Sequence, residues 1–412
     1  MNSSIGIIGG SISALSAAIE LKRKGFAVTL FERNKETFES RGAGIVLPKS
    51  IFEQKIKPDL LFPHFPYVNI DRRSIYTKNL NYLSHKKPLI LNYPFPMVAI
   101  HWGHLYFGLK SQFQHDAYHA GEQVIAISQD QSAVYLKTNQ GDYTFDYVIG
   151  ADGVNSFLRH YIFPHLHPTY AGYTGWRGIC EDQTLSKLIE PGEQIFYLYP
   201  GGHIVLYNIP ASDYATTQRS VINWVFYEYD PKVSMAKTLV DKNGKPCNFS
   251  IPPSMLSQEQ LKHVYDLAQA YLPAEASEIV CASETVFAQA IYDLLSPSHV
   301  QERCILLGDS ATILRPHASS GSLKAIEGAM ALSEALNAPK ELRAASLAAW
   351  NATQVKKAND LMNFATSFGD LFVTSSTDWS TMDELSIMSL WKKLMEKAPQ
   401  TPQLIEKENE TR

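Results

Sequence analysis

The sequence predicts an α/β protein with a parallel β-sheet, an inserted antiparallel β-sheet and C-terminal helices. Within the first 32 residues, buried-strand runs at 5–8 and 27–31 flank a helical apolar repeat at 11–24. Such a strand–helix–strand unit joins parallel strands. Between Tyr170 and Tyr229 the pattern changes to closely spaced strands, which is typical of an antiparallel sheet. Helical spacing dominates after Ala344.

The other elements follow in chain order. Residues 98–113 read as a strand passing into a helix, and residues 133–136 and 143–149 as strands joined by a turn at 139–142. Strands at 194–199, 203–209 and 219–229 form the antiparallel series. Residues 304–307 form another buried strand before a helix at 322–336, and an amphipathic helix is expected at 384–396. The polar tail after Ala398 is expected to fray.

These changes of pattern divide the chain into domains. We expect residues 1–167 and 285–345 to form one discontinuous domain and residues 168–284 to form the inserted sheet domain. Residues 346–412 would form a C-terminal helical segment. A chain of 412 residues, 45% of them hydrophobic, is long enough for two or three domains.

Composition excludes several classes of protein. The net charge is −4 and charged residues make up 19% of the chain, so nucleic acid is not an expected partner. The mean hydropathy is −0.16, and no apolar run is long enough to cross a bilayer. The four cysteines show no metal-ligand spacing, so we expect no metal and reduced thiols. Because no signal peptide is recognisable before the first strand, a cytoplasmic protein is expected.

The first chemical motif follows the first strand and opens the first helix. Gly9, Ser11 and Ala14 occupy the positions of a G-x-G-x-x-G dinucleotide fingerprint, in which small residues let a pyrophosphate approach. Two of the glycines are replaced, so the turn alone is a weak signal. Glu32 strengthens it, because a carboxylate at the end of the second strand can accept both ribose hydroxyls. The alternative is a plain strand–helix–strand unit with a surface Glu.

Two further motifs follow buried strands. One is Gly150-Ala151-Asp152-Gly153-Val154-Asn155-Ser156, with Arg159 one turn on, and the other is Gly308-Asp309-Ser310-Ala311, followed by Arg315-Pro316-His317 and Gly321. Each motif alone reads as a turn that ends a strand. Three such motifs in this order are much harder to explain as turns.

The order of the motifs resembles the class A flavin monooxygenases, the para-hydroxybenzoate hydroxylase family. Four segments resemble its dihydroxypyridine hydroxylase branch: Gly42-Ala43-Gly44-Ile45, Trp176-Arg177-Gly178, Asn223-Trp224 and Arg315-Pro316-His317-Ala318. The resemblance covers residues 5–336. It implies a Rossmann-type (GR2) FAD-binding domain with an inserted antiparallel β-sheet substrate domain and C-terminal helices.

The resemblance also implies which residues hold FAD. The turn at 9–14 would cradle the pyrophosphate, Glu32 the adenosine ribose and Asp309 the ribityl chain. Asp152 and Gly153 would line the cleft and help the nicotinamide cofactor, and residues 320–323 would face the flavin N1–C2=O region. The full expected set is Gly9, Gly10, Ser11, Ile12, Ser13, Ala14, Glu32, Arg33, Arg41, Gly42, Ala43, Gly44, Asp152, Gly153, Gly308, Asp309, Pro316, Ser320, Gly321, Ser322 and Leu323.

The implied activity is that of an FAD-dependent, NAD(P)H-consuming monooxygenase. It would hydroxylate a small aromatic or heteroaromatic substrate with O2 through a C4a-hydroperoxyflavin. NADH or NADPH would bind transiently, because no second fingerprint exists. The chain is expected to be a monomer or a homodimer. The alternatives are an FAD-dependent oxidoreductase or dehydrogenase on the same fold, and a non-catalytic FAD-binding redox protein.

The substrate is expected between the flavin and the antiparallel strands. A general base would deprotonate a phenol or hydroxypyridine, and His203 or His317 can serve near neutral pH. For each aromatic side chain the alternative is ordinary sheet packing, and for each histidine a surface position. The candidate catalytic and lining residues are His203, His317, Pro316, Tyr197, Tyr207 and Trp224, together with Asn208.

Overall fold

The computed structural model describes residues 3–35, 43–77, 89–113, 117–230, 239–375 and 377–399. Arg41 and Gly42 of the expected cofactor set lie outside these residues, as does the tail from 400 onwards. Strands and longer helices are numbered in chain order below.

The smaller of the two main sheets begins with the N-terminal strand. Its described strands lie in the order β17–β18–β10–β1–β2–β6, and all neighbours are parallel except β17 and β18. Their bounds are β1 Ser4–Ile8, β2 Ala27–Glu32, β6 Tyr118–Ala120, β10 Tyr147–Gly150, β17 Val300–Gln301 and β18 Cys304–Leu306. Helix α1 (Ile12–Arg23) joins β1 to β2, and its Leu15 is buried in one core with Ile7. The predicted Rossmann-type start is confirmed.

The larger sheet contains the predicted antiparallel series. Its strands lie in the order β15–β16–β11–β14–β13–β12–β4–β5–β3, with β19 paired to β16. The bounds are β3 Gly44–Pro48, β4 Val68–Thr77, β5 Leu89–His101, β11 Thr169–Cys180, β12 Gly192–Tyr199, β13 Gly202–Pro210, β14 Ser220–Tyr229, β15 Ser250–Ile251, β16 Thr285–Leu295 and β19 Thr312–Ile313. The sheet is mixed rather than purely antiparallel, because β4 joins the edge of β12 in parallel.

A third, three-stranded sheet corrects one predicted strand. It contains β7 (Val124–Gln129), β8 (Val134–Thr138) and β9 (Asp142–Phe145). The run at 143–149 was predicted as one strand, but it divides at Asp146 between β9 and β10. Asp146 Oδ2 accepts a hydrogen bond from the backbone N of Ser4 at 2.7 Å, which holds this corner against β1.

Helices cover both main sheets. The longer ones are α2 Trp102–Gln112, α3 Phe157–Ile162, α4 Gln258–Tyr271, α5 Ala274–Cys281, α6 Gly321–Leu336, α7 Lys340–Gly369 and α8 Glu384–Met395. Shorter helical turns span Lys49–Ile51, Phe52–Ile56, Lys57–Leu60 and Tyr214–Thr217. A π-helical turn, Asp370–Thr374, continues α7. In the described part of the chain, no helix is long and apolar enough to span a membrane.

Alternating side chains give the larger sheet two faces. The outer face, which includes Trp176, Tyr197 and Trp224, shares a core with residues of α4 and α5. The inner face, which includes Tyr207 and Tyr227, shares a core with residues of α7 and α8. Strands β3 to β5 also belong to this sheet, although they fall within the predicted domain 1–167. The domain boundaries stay a prediction.

Candidate functional site

The turn after β1 has the backbone that a nucleotide-binding turn needs. Gly9 has φ of +108°, and a Cβ there would lie 2.6 Å from the carbonyl carbon of Ala151 and strike its oxygen. Only glycine fits this close approach of β1 to β10. Ser11 makes no side-chain cap at the start of α1, so the first backbone N–H groups of the helix lack that acceptor. Free N–H groups at a helix start favour an anion.

The rest of the first motif contributes backbone rather than side chains. The side chains of Ile12 and Ala14 are buried in the core, so only their backbone can meet a ligand. Ser13 lies against the third motif, since a Cβ on Gly308 would lie 3.0 Å from Ser13 Cβ.

Glu32 lies beside this turn, as the fingerprint requires. A Cβ on Gly10 would lie 2.9 Å from Glu32 Oε2. The other carboxylate oxygen, Oε1, accepts hydrogen bonds from the backbone N of Asn34 at 2.8 Å and from its Nδ2 at 2.7 Å. Arg33, which follows, is exposed. The structure brings Glu32 and the turn together, and the ribose contact stays a prediction.

Asp152 turns its carboxylate towards the helix that follows it. Oδ1 accepts from Ser156 Oγ at 2.5 Å, and Oδ2 accepts from the backbone N of Phe157 at 2.6 Å. Burial raises the pKa of Asp152, although these hydrogen bonds oppose the shift. The carboxylate therefore caps α3. Gly153 borders open space, since a Cβ there would meet no atom within 4 Å. The roles expected of both residues towards the cofactors stay predictions.

Arg159, for which the sequence analysis predicted no role, joins the second motif to the third. Its Nη2 donates to the carbonyl of Val154 at 2.5 Å, and its Nη1 donates to the carbonyl of Ser310 at 3.0 Å. The three motifs thus meet at the carboxyl ends of β1, β10 and β18, where ligands bind in sheets of this kind. The sequence showed an Arg one turn after Ser156, at the end of the second motif, but it did not show the distant acceptor of this side chain.

Asp309 is placed differently from Asp152. Its side chain is 50% exposed, and its Oδ1 accepts from Lys324 Nζ at 2.7 Å. The same Nζ donates to the carbonyl of Thr312 at 2.6 Å. Asp309 therefore keeps an exposed carboxylate at the junction of the motifs. Lys324, one turn into α6, is a neighbour that the sequence analysis missed.

The turn that opens α6 tests whether FAD fits the chain. Within the described residues, Ser320 Oγ is buried without a hydrogen-bond partner, and no side chain caps α6. A Cβ on Gly321 would meet nothing within 4 Å, so open space adjoins the helix start. Ser322 and Leu323 are half-buried. An orphaned hydroxyl and an uncapped helix start beside open space fit the polar edge of a flavin.

Ala43 and Gly44 belong to the expected cofactor set, and Gly44 contacts the inner face of the larger sheet. The backbone N of Gly44 donates to Asn223 Oδ1 at 2.6 Å. A Cβ on Gly44 would lie 2.6 Å from the hydroxyl of Tyr207, so a larger residue would displace the side chain of Tyr207 or Asn223. Ala43 accepts from the backbone N of Trp102 at 3.0 Å.

The two faces of the larger sheet separate the candidate substrate residues. His203 and Tyr207 lie on the inner face, whereas Tyr197 and Trp224 are buried in the core of the outer face. Trp224 donates its indole N–H to Ser283 Oγ at 2.8 Å. Side chains alternate along strands, so these residues cannot all line one pocket. We therefore leave Tyr197 and Trp224 out of the site, together with Asn208, whose position in β13 alternates with that of Tyr207.

His317 meets the inner face from the turn Pro316–Ala318. Its Nε2 lies 2.7 Å from the hydroxyl of Tyr173, and its ring centroid lies 5.4 Å from that of His203. Burial lowers the pKa of both histidines, to about 3 for His203. Both are therefore neutral near pH 7. His203 is fully buried, whereas His317 is half-buried and follows the Pro316 that was also singled out.

Arg315 anchors this turn. Its Nη2 pairs with Asp293 of β16 at 2.9 Å, and its Nη1 pairs with Asp370 at the end of α7 at 2.9 Å. The arginine belongs to a motif that the sequence analysis recognised. Its partners lie far along the chain, and nothing in the sequence marked them.

Parts of the chain match known families. Residues 7–38 match a family described as NAD(P)-binding Rossmann-like domain, and residues 170–293 match one described as FAD binding domain-like. The 2,6-dihydroxypyridine 3-monooxygenase of Paenarthrobacter nicotinovorans is 26% identical over 364 residues, which cover 87% of this chain and 89% of that relative.

Solved structures share the fold. The 2,6-dihydroxypyridine-3-hydroxylase from Arthrobacter nicotinovorans superposes with a TM-score of 0.83 at 23% identity, covering 92% of this chain and 95% of that one. Klebsiella pneumoniae HpxO, complexed with FAD and uric acid, superposes with a TM-score of 0.73 at 18% identity, covering 96% and 93%. Together with the convergence of the three motifs, the sequence relative and the two family matches support an FAD-binding oxidoreductase that is similar to FAD-dependent monooxygenases over most of its length.

Proposed function

We propose that this flavoprotein hydroxylates a small aromatic or heteroaromatic substrate, using NADH or NADPH and O2. In balance, the substrate, NAD(P)H, a proton and O2 give the hydroxylated substrate, NAD(P)+ and water. The main observation that supports the proposal is that residues 315–323 border both the open space beside α6 and the inner face of the larger sheet. Ser320 and Gly321 border the open space that fits the flavin, and His317 contacts the inner face of the sheet.

The cofactor would lie where the three motifs converge. When bound, FAD would supply the transfer of reducing equivalents from NAD(P)H to O2. The uncapped start of α1 would hold the pyrophosphate, Glu32 the adenosine ribose and Asp309 the ribityl chain. The start of α6 would stabilise negative charge on the reduced flavin, because its uncapped N–H groups carry the positive end of the helix dipole.

The inner face would orient the ring and exclude water. Its buried Tyr207 and Tyr227 are 5% and 4% exposed, and burial raises the pKa of both phenols, so they stay neutral donors. We assign the proton-transfer role to His317 rather than to His203, because His203 is fully enclosed. The contact of His317 Nε2 with the hydroxyl of Tyr173 would hold the imidazole in place for this role.

The sequence relative favours a nitrogen heteroaromatic or phenolic substrate. The relative is named for 2,6-dihydroxypyridine, and a second relative, from Streptomyces platensis, for 3-amino-4-hydroxybenzoate. Both names describe electron-rich hydroxylated rings. Monomer or homodimer and a cytoplasmic location stay predictions.

Anaerobic stopped-flow reduction tests this proposal. The FAD-loaded protein is mixed with NADH or NADPH in the presence of each member of a panel of phenols and hydroxypyridines. We expect at least one nucleotide to reduce the flavin, and at least tenfold faster with the correct substrate. A tenfold effect needs only about 1.4 kcal/mol of differential binding between two flavin positions. Reduction of the flavin by a panel compound without NAD(P)H would instead indicate a dehydrogenase. If neither nucleotide nor any panel compound reduces the flavin, the chain would be a non-catalytic redox protein.

A further inference from the structure

Besides the ring of His203, two side chains of the inner face carry a buried hydrogen-bond donor without an acceptor among the described residues. In the described part of the chain, Arg177 Nε and Asn223 Nδ2 have no hydrogen-bond partner. Both residues lie on neighbouring strands, β11 and β14, and Ile179, two residues beyond Arg177, is opposite Asn223 in the register. A buried donor without an acceptor destabilises a folded protein, so such a pair indicates a ligand.

The orientation of Asn223 is fixed by the protein itself. Its Oδ1 accepts from the backbone N of Gly44 at 2.6 Å, so the oxygen side of the amide is assigned and the NH2 group is the free side. The side chain is 1% exposed. Because Gly44 belongs to the expected cofactor set, this free donor would lie between the proposed flavin site and the sheet.

The charge of Arg177 is also uncompensated. Among the described residues, no carboxylate oxygen lies within 4.0 Å of its guanidinium, whereas Arg315 pairs with both Asp293 and Asp370. Tyr227 forms a side-chain hydrogen bond with Arg177 but does not neutralise it, because burial raises the pKa of Tyr227 to about 12 and raises that of Tyr207 further, so both phenols stay uncharged. Arg177 as a whole is half-buried, but its Nε is buried.

A second arginine on the inner face provides a contrast. Arg73 is 6% exposed and likewise lacks a carboxylate in the described residues, but its Nε donates to Gln194 Oε1 at 2.7 Å and its Nη1 to Tyr93 at 3.0 Å. Its guanidinium carbon lies 3.7 Å from the ring centroid of Phe95. Arg73 is thus held by the protein and adds positive charge to the same face, whereas Arg177 and Asn223 keep donors to spare.

We propose that Arg177 and Asn223 form an anion subsite that binds a negatively charged oxygen group on the substrate ring. A guanidinium and an amide NH2 together match the acceptor geometry of such a group. The inference rests on the proposed function, since it narrows its substrate class to anionic aromatics. The ring would lie between this subsite and the turn that opens α6.

Binding of benzoate to the FAD-loaded protein tests the subsite without turnover. Dissociation constants come from the difference spectrum of the bound flavin, with benzamide as the neutral probe of the same shape. We expect benzoate to bind at least tenfold tighter than benzamide. Arg177→Gln should lose at least tenfold in benzoate affinity while benzamide affinity changes less than twofold. Asn223→Asp, which can still accept from Gly44, should show the same selective loss.

Two controls keep the test decisive. Arg177→Lys keeps the positive charge but lacks the two parallel N–H donors of the guanidinium, so it should retain part of the benzoate preference. This variant replaces Arg177→Gln if Arg177→Gln fails to fold. Arg219→Gln removes an arginine paired with Asp213 at 3.3 Å outside the subsite and should leave both affinities unchanged.

Equal affinity of the wild type for benzoate and benzamide would overturn the inference. So would an unchanged benzoate affinity in Arg177→Gln with a shifted flavin midpoint potential, because the guanidinium would then serve the flavin and not the substrate. Selective benzoate binding without hydroxylation of any aromatic compound would overturn the proposed function and leave the subsite standing.

Discussion

Replacement of Asp309 by alanine separates the roles of the two aspartates in the cofactor motifs. Asp309 is half exposed and its Oδ1 pairs with Lys324 at 2.7 Å. Asp152 instead uses both carboxylate oxygens to cap α3 through Ser156 and Phe157. Asp309→Ala should therefore weaken FAD binding, whereas Asp152→Ala should mainly destabilise the fold.

The structure sets the size of both effects. A hydrogen bond from a ribityl hydroxyl to a charged carboxylate contributes about 1.5–3 kcal/mol. Because every 1.4 kcal/mol is tenfold, Asp309→Ala should raise the Kd for FAD by roughly 10- to 150-fold. Loss of the exposed pair with Lys324 should lower apoprotein stability by only about 0.2–1 kcal/mol. Loss of the Asp152 cap should lower it by about 1 kcal/mol or more.

The assay is titration of apoprotein with FAD, followed by quenching of flavin fluorescence, with thermal unfolding of the same apoproteins. A matched control is Asp360→Ala, because Asp360 also pairs with a lysine at 2.7 Å and is 44% exposed, but on the surface of α7. It should leave the Kd unchanged. An equal loss of FAD affinity in the Asp309 and Asp152 variants, or a change of less than twofold in Asp309→Ala, would refute this division of roles.

Three further predictions concern the turns and the buried histidines. Gly9→Ala should abolish FAD binding and lower stability by about 1–3 kcal/mol, because φ of +108° and contact with Ala151 both exclude a Cβ; unchanged unfolding and FAD titration curves would contradict this. Gly321→Val should leave apoprotein stability nearly unchanged, slow NAD(P)H reduction and raise the fraction lost as peroxide, and unaltered kinetics would count against a flavin at α6. His203 has its pKa lowered to about 3 from 6.5, so the unfolded chain binds its proton first and stability falls as pH drops below about 6.5. His203→Leu should flatten that fall in Tm between pH 7 and pH 5, and an equally steep fall would refute the assignment.

The parallel sheet and its cofactor motifs could be predicted because their signals are local. The fingerprint turn, Glu32 and the two later aspartates each follow a strand that reads as a continuous apolar run, and β1, β10 and β18 bring them together as expected. Strand β4 and the part of β5 before Val98 showed no such signal. Arg73, Tyr93 and Pro94 interrupt their alternation, since they face partners supplied by distant strands.

For the substrate side of the site, the sequence predicted the types of residue but not which of them share one face of the sheet. Consecutive aromatic residues in a strand point to opposite faces, so the sequence could not separate Tyr207 from Trp224 without knowing which face meets the cofactor. The contact of Asn223 with Gly44 joins residues 179 positions apart. Only the folded sheet shows that the amide is held there with its NH2 group unpaired.

Mass spectrometry of the product formed under 18O2 tests the central claim most directly. The FAD-loaded protein is incubated with NAD(P)H and the phenol and hydroxypyridine panel, and products are analysed for oxygen origin. A monooxygenase inserts one atom of O2, so the account predicts a hydroxylated product that carries a single 18O. An oxidised product without 18O, or release of hydrogen peroxide alone with every member of the panel, would contradict it.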